Sequence, residues 1–249
     1  MANKSENELK GTLYIVATPI GNLEDITLRA IKVLKSVALI GCEDTRHSLK
    51  LLNHLDIHTP LISCRAQNET IAAKKMIEAL QQGKDVAYIS DAGTPSVSDP
   101  GARLCNLVRE ANITVTPIPG ASALISLVSV SSITGKSFTF LGFLTPKGSK
   151  RKKILQDYMQ KEDSIIIYES PYRIIKLIRD IADIDNNRMI FVGRELTKSH
   201  EEILEGEAEK ILNLLSTRDS IKGEFVIQIS GKKNVKVFEN SSDSTGEEG

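Results

Sequence analysis

Short β-branched runs alternate with segments of helical period along most of this chain. Residues 12–18 (TLYIVAT), 37–42 (VALIGC), 60–64 (PLISC), 85–90 (DVAYIS) and 113–118 (ITVTPI) read as strands. Further along, 138–144 (FTFLGFL), 164–170 (SIIIYES), 188–196 (RMIFVGREL) and 223–230 (GEFVIQIS) read the same way. Between them lie predicted helices. The first spans 25–36 with Asp25 as N-cap, the next spans 44–55 with Asp44 as N-cap, and a third runs from Asn68 to a stop at Gly83. Others are expected over 102–111, 121–130, 152–160, 171–182 and 207–216.

This alternation predicts βαβ units, hence mostly parallel sheets covered by helices on both faces. So many strands exceed one small open sheet. The Pro-Gly pair at 119–120 is the natural boundary, giving an N-terminal α/β domain over 11–120 and a C-terminal one over 121–234. The polar ends, 1–10 and 235–249, bury too little apolar surface to offset ordering entropy and are expected to be disordered. No internal repeat is evident.

Composition narrows the function classes. Lys+Arg and Asp+Glu both number 32, so a chain uniformly coated in positive charge is excluded while a local basic patch is not. Cys42, Cys64 and Cys105 form no CxxC and no even framework, as expected for free thiols in a reducing cytosol. The opening MANKSENELK has no apolar core for a signal peptide, and no run reaches membrane-span length. A soluble cytoplasmic protein without membrane contact is the expectation. No phosphate-binding GxxxxGK[ST], no GxGxxG after the first strand and no GxSxG nucleophile elbow is present. His54 and His58 have helical i,i+4 spacing but neither an adjacent Glu nor an obvious third ligand, so no metal site is expected.

The turn chemistry is concentrated after strands. ATPIGN (17–22), CEDTR (42–46), SDAGTPSVSDPG (90–101) and PIPGASA (117–123) follow the first, second, fourth and fifth predicted strands. Ligands of parallel α/β sheets bind outside the carboxyl ends of the strands, so these loops point to a small-molecule site. Gly93 and Pro95 suit a sharp turn that offers backbone groups, while Ser90, Asp91, Thr94 and Ser96 add short polar side chains. Asp91 is the better ligand candidate, and Asp99 reads as a turn or helix cap.

Taken in order, TPIGNLEDITLRA, EDTRHS, SDAGTPSVSDPG, PGASA, GFL, YESPYR, RELTKSHEE and KGEFV resemble the tetrapyrrole methylase superfamily of S-adenosylmethionine-dependent methyltransferases. They are most similar to its branch that methylates a cytidine ribose 2′-hydroxyl in 16S ribosomal RNA. Departures are few: Ala17 for a usual Pro, Cys42 for a common Ala, and Tyr172 for a usual His. The resemblance implies two α/β domains, with a mostly parallel N-terminal sheet, a mixed C-terminal sheet and the cofactor in a cleft between the domains. It implies S-adenosylmethionine contacts at Pro19, Ser90, Asp91, Ala92, Gly93, Thr94, Pro95, Ala121 and Ser122. Phe143, Tyr168, Lys222, Gly223 and Glu224 join that set by resemblance alone. A small-ribosomal-subunit substrate and a homodimer are implied as well.

Methyl transfer from a sulfonium needs no metal, but a ribose hydroxyl is a poor nucleophile unless its proton is drawn away. Charges immediately after strands are the candidates: Glu43, Arg46, Arg194, Glu195 and Lys198, with Lys198 or a nearby carboxylate assisting proton loss. The competing reading is that these charges pair with one another structurally. Lys147, Lys150, Arg151, Lys152 and Lys153 crowd the start of a predicted helix, the end that disfavours cations, and so point to RNA phosphate as partner. Two other functions stay open: a same-fold methyltransferase acting on a tetrapyrrole or protein side chain, and a non-catalytic RNA-binding module. The second lacks any RRM or KH signature, and aromatics are only 4%, leaving few stacking platforms.

Overall fold

A computed structural model describes residues 10–232, apart from Ala66, Thr134 and Lys136. The expectations for the two ends fall outside these residues, except at Lys10, whose ammonium donates to the Ala111 carbonyl. The chain divides into two compact units. One runs through Val130 and also takes in Gly193–Ile203 and Gly223–Val226; the other comprises Ser131–Val192, Leu204–Lys222 and the chain from Ile227.

The first sheet contains β1 (Leu13–Val16), β2 (Leu39–Cys42), β3 (Leu61–Ser63), β4 (Val86–Ile89) and β5 (Val115–Ile118) in the order β3-β2-β4-β1-β5. Every pairing in it is parallel. Strand alternation splits the apolar residues between two faces. Leu13, Val86 and Tyr88 pack against Met76 and Leu80 of α3 (Glu69–Gln81) and Leu104 and Val108 of α4 (Ala102–Glu110). Val16, Ile40, Ala87 and Ile89 pack against Ala30 and Leu34 of α1 (Leu28–Ser36) and Leu52 of α2 (Thr45–His54). Helix α5 (Ala123–Val130) follows β5.

The second sheet is mixed. Its strands are β6 (Phe138–Phe143), β7 (Ser164–Glu169), β8 (Met189–Arg194), β9 (Glu202–Glu207) and β10 (Phe225–Ile229), in the order β6-β7-β10-β8-β9. β6 and β7 are parallel neighbours, each followed by a helix: α6 (Gly148–Met159) and α7 (Ile174–Ile184). Helix α8 (Ala208–Ser216) packs on α7. α7 buries Ile174, Leu177, Ile178 and Ile181, the i, i+3, i+4, i+7 stripe of a core-facing helix.

The structure revises several sequence expectations. β9 was absent from the predicted elements; its sequence EILEGE carries three glutamates because it is an edge strand, where charge discourages further pairing. Asp25 does not cap α1 but ends a short 3₁₀ turn, Leu23–Asp25, and the Thr27 hydroxyl caps α1 by accepting from Ala30 N–H. Asp44 caps α2 as expected, accepting from Arg46 N–H. Asp99 caps no helix. Gly101 is the N-cap of α4, and the buried Glu69 carboxylate accepts from Leu104 N–H at 3.2 Å.

The basic run at α6 is also divided. Arg151 is 5% exposed and inaccessible to RNA. Its guanidinium lies 2.5 Å from Asp180 of α7, to which Nε also donates at 2.7 Å. Lys152 pairs with Asp183 at 2.7 Å. Only Lys147, Lys150 and Lys153 of that set are exposed. Removing one member of a buried ion pair strands the other charge, whereas replacing both is often near neutral. Asp180→Leu is therefore expected to cost about 3–5 kcal/mol in urea unfolding. Arg151→Met with Asp180→Leu should recover most of it, and no recovery would show the pair to be stabilising in itself.

Candidate functional site

β1 and β4 are adjacent and parallel, yet the helices that follow them, α1 and α4, cover opposite faces of the sheet. Such a switch point opens a crevice at the carboxyl edge. Two loops meet there. Thr18 N–H donates to the Gly93 carbonyl at 2.9 Å, and Gly93 N–H donates back to the Thr18 carbonyl at 3.1 Å. Gly93 has φ +80°, and a Cβ on it would lie 3.2 Å from Ile20 Cγ2. Both the left-handed conformation and the close approach call for glycine.

The loop hydroxyls hold the loop itself. Thr18 Oγ1 donates to the Ser90 carbonyl, Ser90 Oγ to the Gly93 carbonyl and Thr94 Oγ1 to the Ala121 carbonyl. Ser90 is 1% exposed, so its hydroxyl shapes the turn rather than offering itself to a ligand. Asp91 is half-buried and accepts from Asp44 N–H at 3.1 Å, which joins the loop after β4 to the one after β2. Pro19, Ala92, Pro95, Ala121 and Ser122 belong to the same unit, with Ala92 exposed and Pro19 and Pro95 buried.

Acids gather beside this loop. Glu43, the residue after β2, has its pKa raised, first by burial and then by Asp91 and Asp99. Asp99 is raised by burial and by Asp91. Arg65 offsets part of the charge at 3.6 Å from Asp44. Arg46, whose side chain is 86% exposed, pairs with Asp44 at 3.4 Å.

The other catalytic candidates form a separate group in the same unit. Lys198 Nζ donates to Glu195 Oε1 at 2.9 Å and Glu224 Oε2 at 3.0 Å, and Glu224 N–H donates to Glu195 Oε1 at 2.9 Å. Burial would lower the Lys198 pKa, but the two carboxylates outweigh it and hold the pKa above the ordinary range. Burial likewise opposes the Glu195 charge and is outweighed by Lys198 and the Glu224 N–H, which lower its pKa. The turn is strained: Glu195 has φ +49° and Thr197 +67°. It abuts the loop after β1, where Asn22 N–H donates to Thr197 Oγ1 at 3.1 Å and a Cβ on Gly21 would collide with Lys198 Cγ. A Cβ on Gly223 would collide with Glu195. Arg194 approaches Glu202 at 3.4 Å.

Phe143, Tyr168 and Lys222 lie in the second unit. Phe143 and Tyr168 meet edge to face, with ring centroids 5.8 Å apart, at the ends of β6 and β7. Sequence reasoning had no signal for the organising role of Thr18, or for Asp99 as a member of the acidic group, because both depend on strands brought together from distant positions.

The model of the tetrapyrrole (corrin/porphyrin) methylases matches residues 12–212. The chain belongs to the tetrapyrrole methylase family. Three relatives called ribosomal RNA small subunit methyltransferase I place it more closely. That of Halalkalibacterium halodurans is 43% identical over 222 residues, 89% of this chain and 76% of the relative. That of Thermotoga maritima is 42% identical over 223 residues, 90% of this chain and all of the relative. That of Leptospira biflexa is 41% identical over 245 residues, 98% of this chain and 99% of the relative. Among solved structures, a cobalt precorrin-4 methyltransferase of cobalamin biosynthesis superposes with TM-score 0.65 at 14% identity, covering 87% of this chain and 94% of that one. A uroporphyrin-III C-methyltransferase from Thermus thermophilus, complexed with S-adenosylhomocysteine, gives 0.61 at 16% identity, covering 89% and 98%. These two share the fold of the family.

Among the described residues no group of three or more His, Cys, Asp and Glu is placed to hold a metal ion, and no helix is long and apolar enough to cross a membrane. The Glu43 environment makes a pH prediction. A carboxyl whose pKa is raised on folding favours the folded state while protonated and loses that advantage as pH rises through the folded value. Glu43→Gln should therefore raise Tm at pH 7, and the gain should vanish as pH falls below the ordinary glutamate value of 4.5. A Tm difference that does not change with pH would contradict the burial and acidic neighbours as its cause.

Proposed function

We propose that this chain transfers a methyl group from S-adenosylmethionine to the 2′-hydroxyl of a cytidine ribose in 16S ribosomal RNA of the small subunit. The observation that carries the reading is identity of 41–43%, over about nine-tenths or more of the chain, to relatives called ribosomal RNA small subunit methyltransferases. The tetrapyrrole enzymes of the same fold stand at 14–16%. An RNA substrate goes with a cytoplasmic protein. A homodimer goes with the exposed Ile125 and Val130 on α5.

The switch-point residues fit the cofactor. S-adenosylmethionine has no phosphate, so neither a glycine-rich phosphate loop nor a cationic clamp is required. It carries a sulfonium, an ammonium and a carboxylate, one net positive charge, which suits a crevice bordered by Glu43, Asp44, Asp91 and Asp99. Gly93, where a Cβ would crowd Ile20, keeps the loop clear of a side chain beside the ligand, and Asp91 supplies a carboxylate for an amino group or ribose hydroxyls. When bound, the cofactor supplies a methyl on a sulfonium. The chain's part is to hold the ribose oxygen in line behind that methyl, and positioning of this kind supplies much of the rate.

Lys198, kept protonated between Glu195 and Glu224, is a fixed positive charge and not a base. Glu43, half-buried with a raised pKa, is the carboxylate suited to take the 2′-hydroxyl proton. Lys147, Lys150 and Lys153 are the exposed cations for RNA phosphate.

Cofactor binding is open to direct measurement. Asp91→Asn should weaken S-adenosylmethionine on the order of tenfold to a hundredfold, the loss of a charged hydrogen bond. Gly93→Val should weaken it as well, through strain at positive φ. Calorimetry showing wild-type affinity in both folded variants would remove the loop from the cofactor site. The reaction is tested by incubating the protein with labelled S-adenosylmethionine and small ribosomal subunits from cells lacking it. The label is expected in 2′-O-methylcytidine of the 16S RNA; label elsewhere, or none, contradicts the reading. With Lys147, Lys150 and Lys153 replaced by Gln, RNA affinity should fall. Its log–log salt slope should become shallower by about 0.7–0.9 per lost contact. An unchanged slope would assign the lysines to solubility.

A further inference from the structure

Tyr172 has no part in the site described so far, yet it is the most exposed large apolar side chain among the described residues, at 89%. The turn that carries it is nonetheless tied to its surroundings by hydrogen bonds and an ion pair. Glu169, 2% exposed at the end of β7, accepts from Ser170 N–H at 2.7 Å and faces the Arg173 guanidinium at 3.0 Å. Arg173 Nη2 in turn donates to the Leu144 carbonyl at 2.5 Å, just past the end of β6. Tyr172 therefore stands beside a residue anchored at two points, with its ring directed to solvent.

Its surroundings define a chemistry. β6 and β7 are parallel neighbours, so α6 and α7 both begin at the carboxyl edge of these strands. Tyr172 immediately precedes Arg173, the N-cap of α7. Lys147, the N-cap of α6, follows Leu144 by three positions, with exposed Lys150 in the first turn. Two positive helix ends, exposed lysines and one fully offered aromatic ring thus follow the carboxyl ends of two neighbouring parallel strands. An exposed aromatic beside cations is the pattern by which proteins take single-stranded nucleic acid, base on ring and phosphate on cation. Ser170 and Arg173 of its own turn, with Lys147 and Lys150 at the start of α6, are polar or cationic, which favours a polyanion over an apolar protein surface.

We infer that Tyr172 is a stacking platform for an unpaired nucleobase of the RNA substrate, held out by the Glu169–Arg173–Leu144 anchor beside the cationic start of α6. This rests on the proposed RNA methyltransferase function and adds a specific RNA-contacting residue to it. Because Tyr172 is exposed, its replacement leaves the fold intact.

The test uses the full chain as wild type, Tyr172→Ala, Tyr172→Phe and Tyr172→Trp. Tyr172→Ala should raise KM for unmethylated small ribosomal subunits on the order of tenfold to a hundredfold, the effect of losing one base–aromatic stack. Phe and Trp should stay near wild type, and Tm and S-adenosylhomocysteine affinity should be unchanged in all four. Wild-type KM in Tyr172→Ala overturns the inference. So does a loss shared by Phe, which would indicate a hydroxyl contact, or a loss accompanied by weaker S-adenosylhomocysteine binding. If the wild type leaves the subunits unmethylated, the proposed function fails, and the platform is judged separately on a fluorescein-labelled unstructured RNA oligonucleotide. There Tyr172→Ala must bind more weakly than wild type, and equal affinity overturns it.

Discussion

Adjacent strands β1 and β4 send their chains to opposite faces of one parallel sheet, and the reciprocal Thr18–Gly93 hydrogen bonds join the two loops that diverge there. Much of the chemistry in the first unit follows from this. Gly93 must take φ +80° to present its N–H and C=O back to Thr18, so the loop can carry no side chain at that point. Ser90 and Thr94 then spend their hydroxyls on backbone carbonyls, which fixes the loop and leaves the Asp91 carboxylate as its main polar side chain. A site made in this way is suited to a small ligand without phosphate, because the polar side chain that its loop presents is a carboxylate rather than a cation.

Zero formal net charge conceals a division of labour. Glu43, Asp44, Asp91 and Asp99 gather at the carboxyl edge of the first sheet, where the proposed cofactor would bring a net positive charge. Lys147 at the N-cap of α6, with Lys150 and Lys153 inside the helix, forms the exposed cationic group proposed for a polyanion. Lys198 belongs to neither group. Its two carboxylate partners hold it in its charged form and tie down a turn with two positive-φ residues beside the β1 loop.

Local signals in the sequence proved readable. The alternation of elements, the Asp44 cap, the glycine stop at Gly83 and the clustering of turn residues after β1, β2, β4 and β5 all rest on short-range sterics and hydrogen bonding. Features set by distant partners were not readable. Arg151 looks like one cation among five until Asp180, twenty-nine positions away, buries it. Asp99 looks like a turn or helix cap, but Gly101 is the α4 N-cap and Glu69 takes an α4 N–H from the other side. β9 looks like a charged loop because an edge strand buries only part of each residue. Asp25 lost its expected role to Thr27 by two positions, a shift caused by the intervening 3₁₀ turn.

The central claim is that the Thr18–Gly93 crossing builds the cofactor site. A crystal structure of the protein grown with S-adenosylhomocysteine tests it most directly. The account predicts the ligand within hydrogen-bonding distance of Asp91 or of the backbone of residues 92–94, with the Thr18–Gly93 pair intact. A ligand bound elsewhere, with no contact to the loop from Ser90 to Pro95, would contradict it.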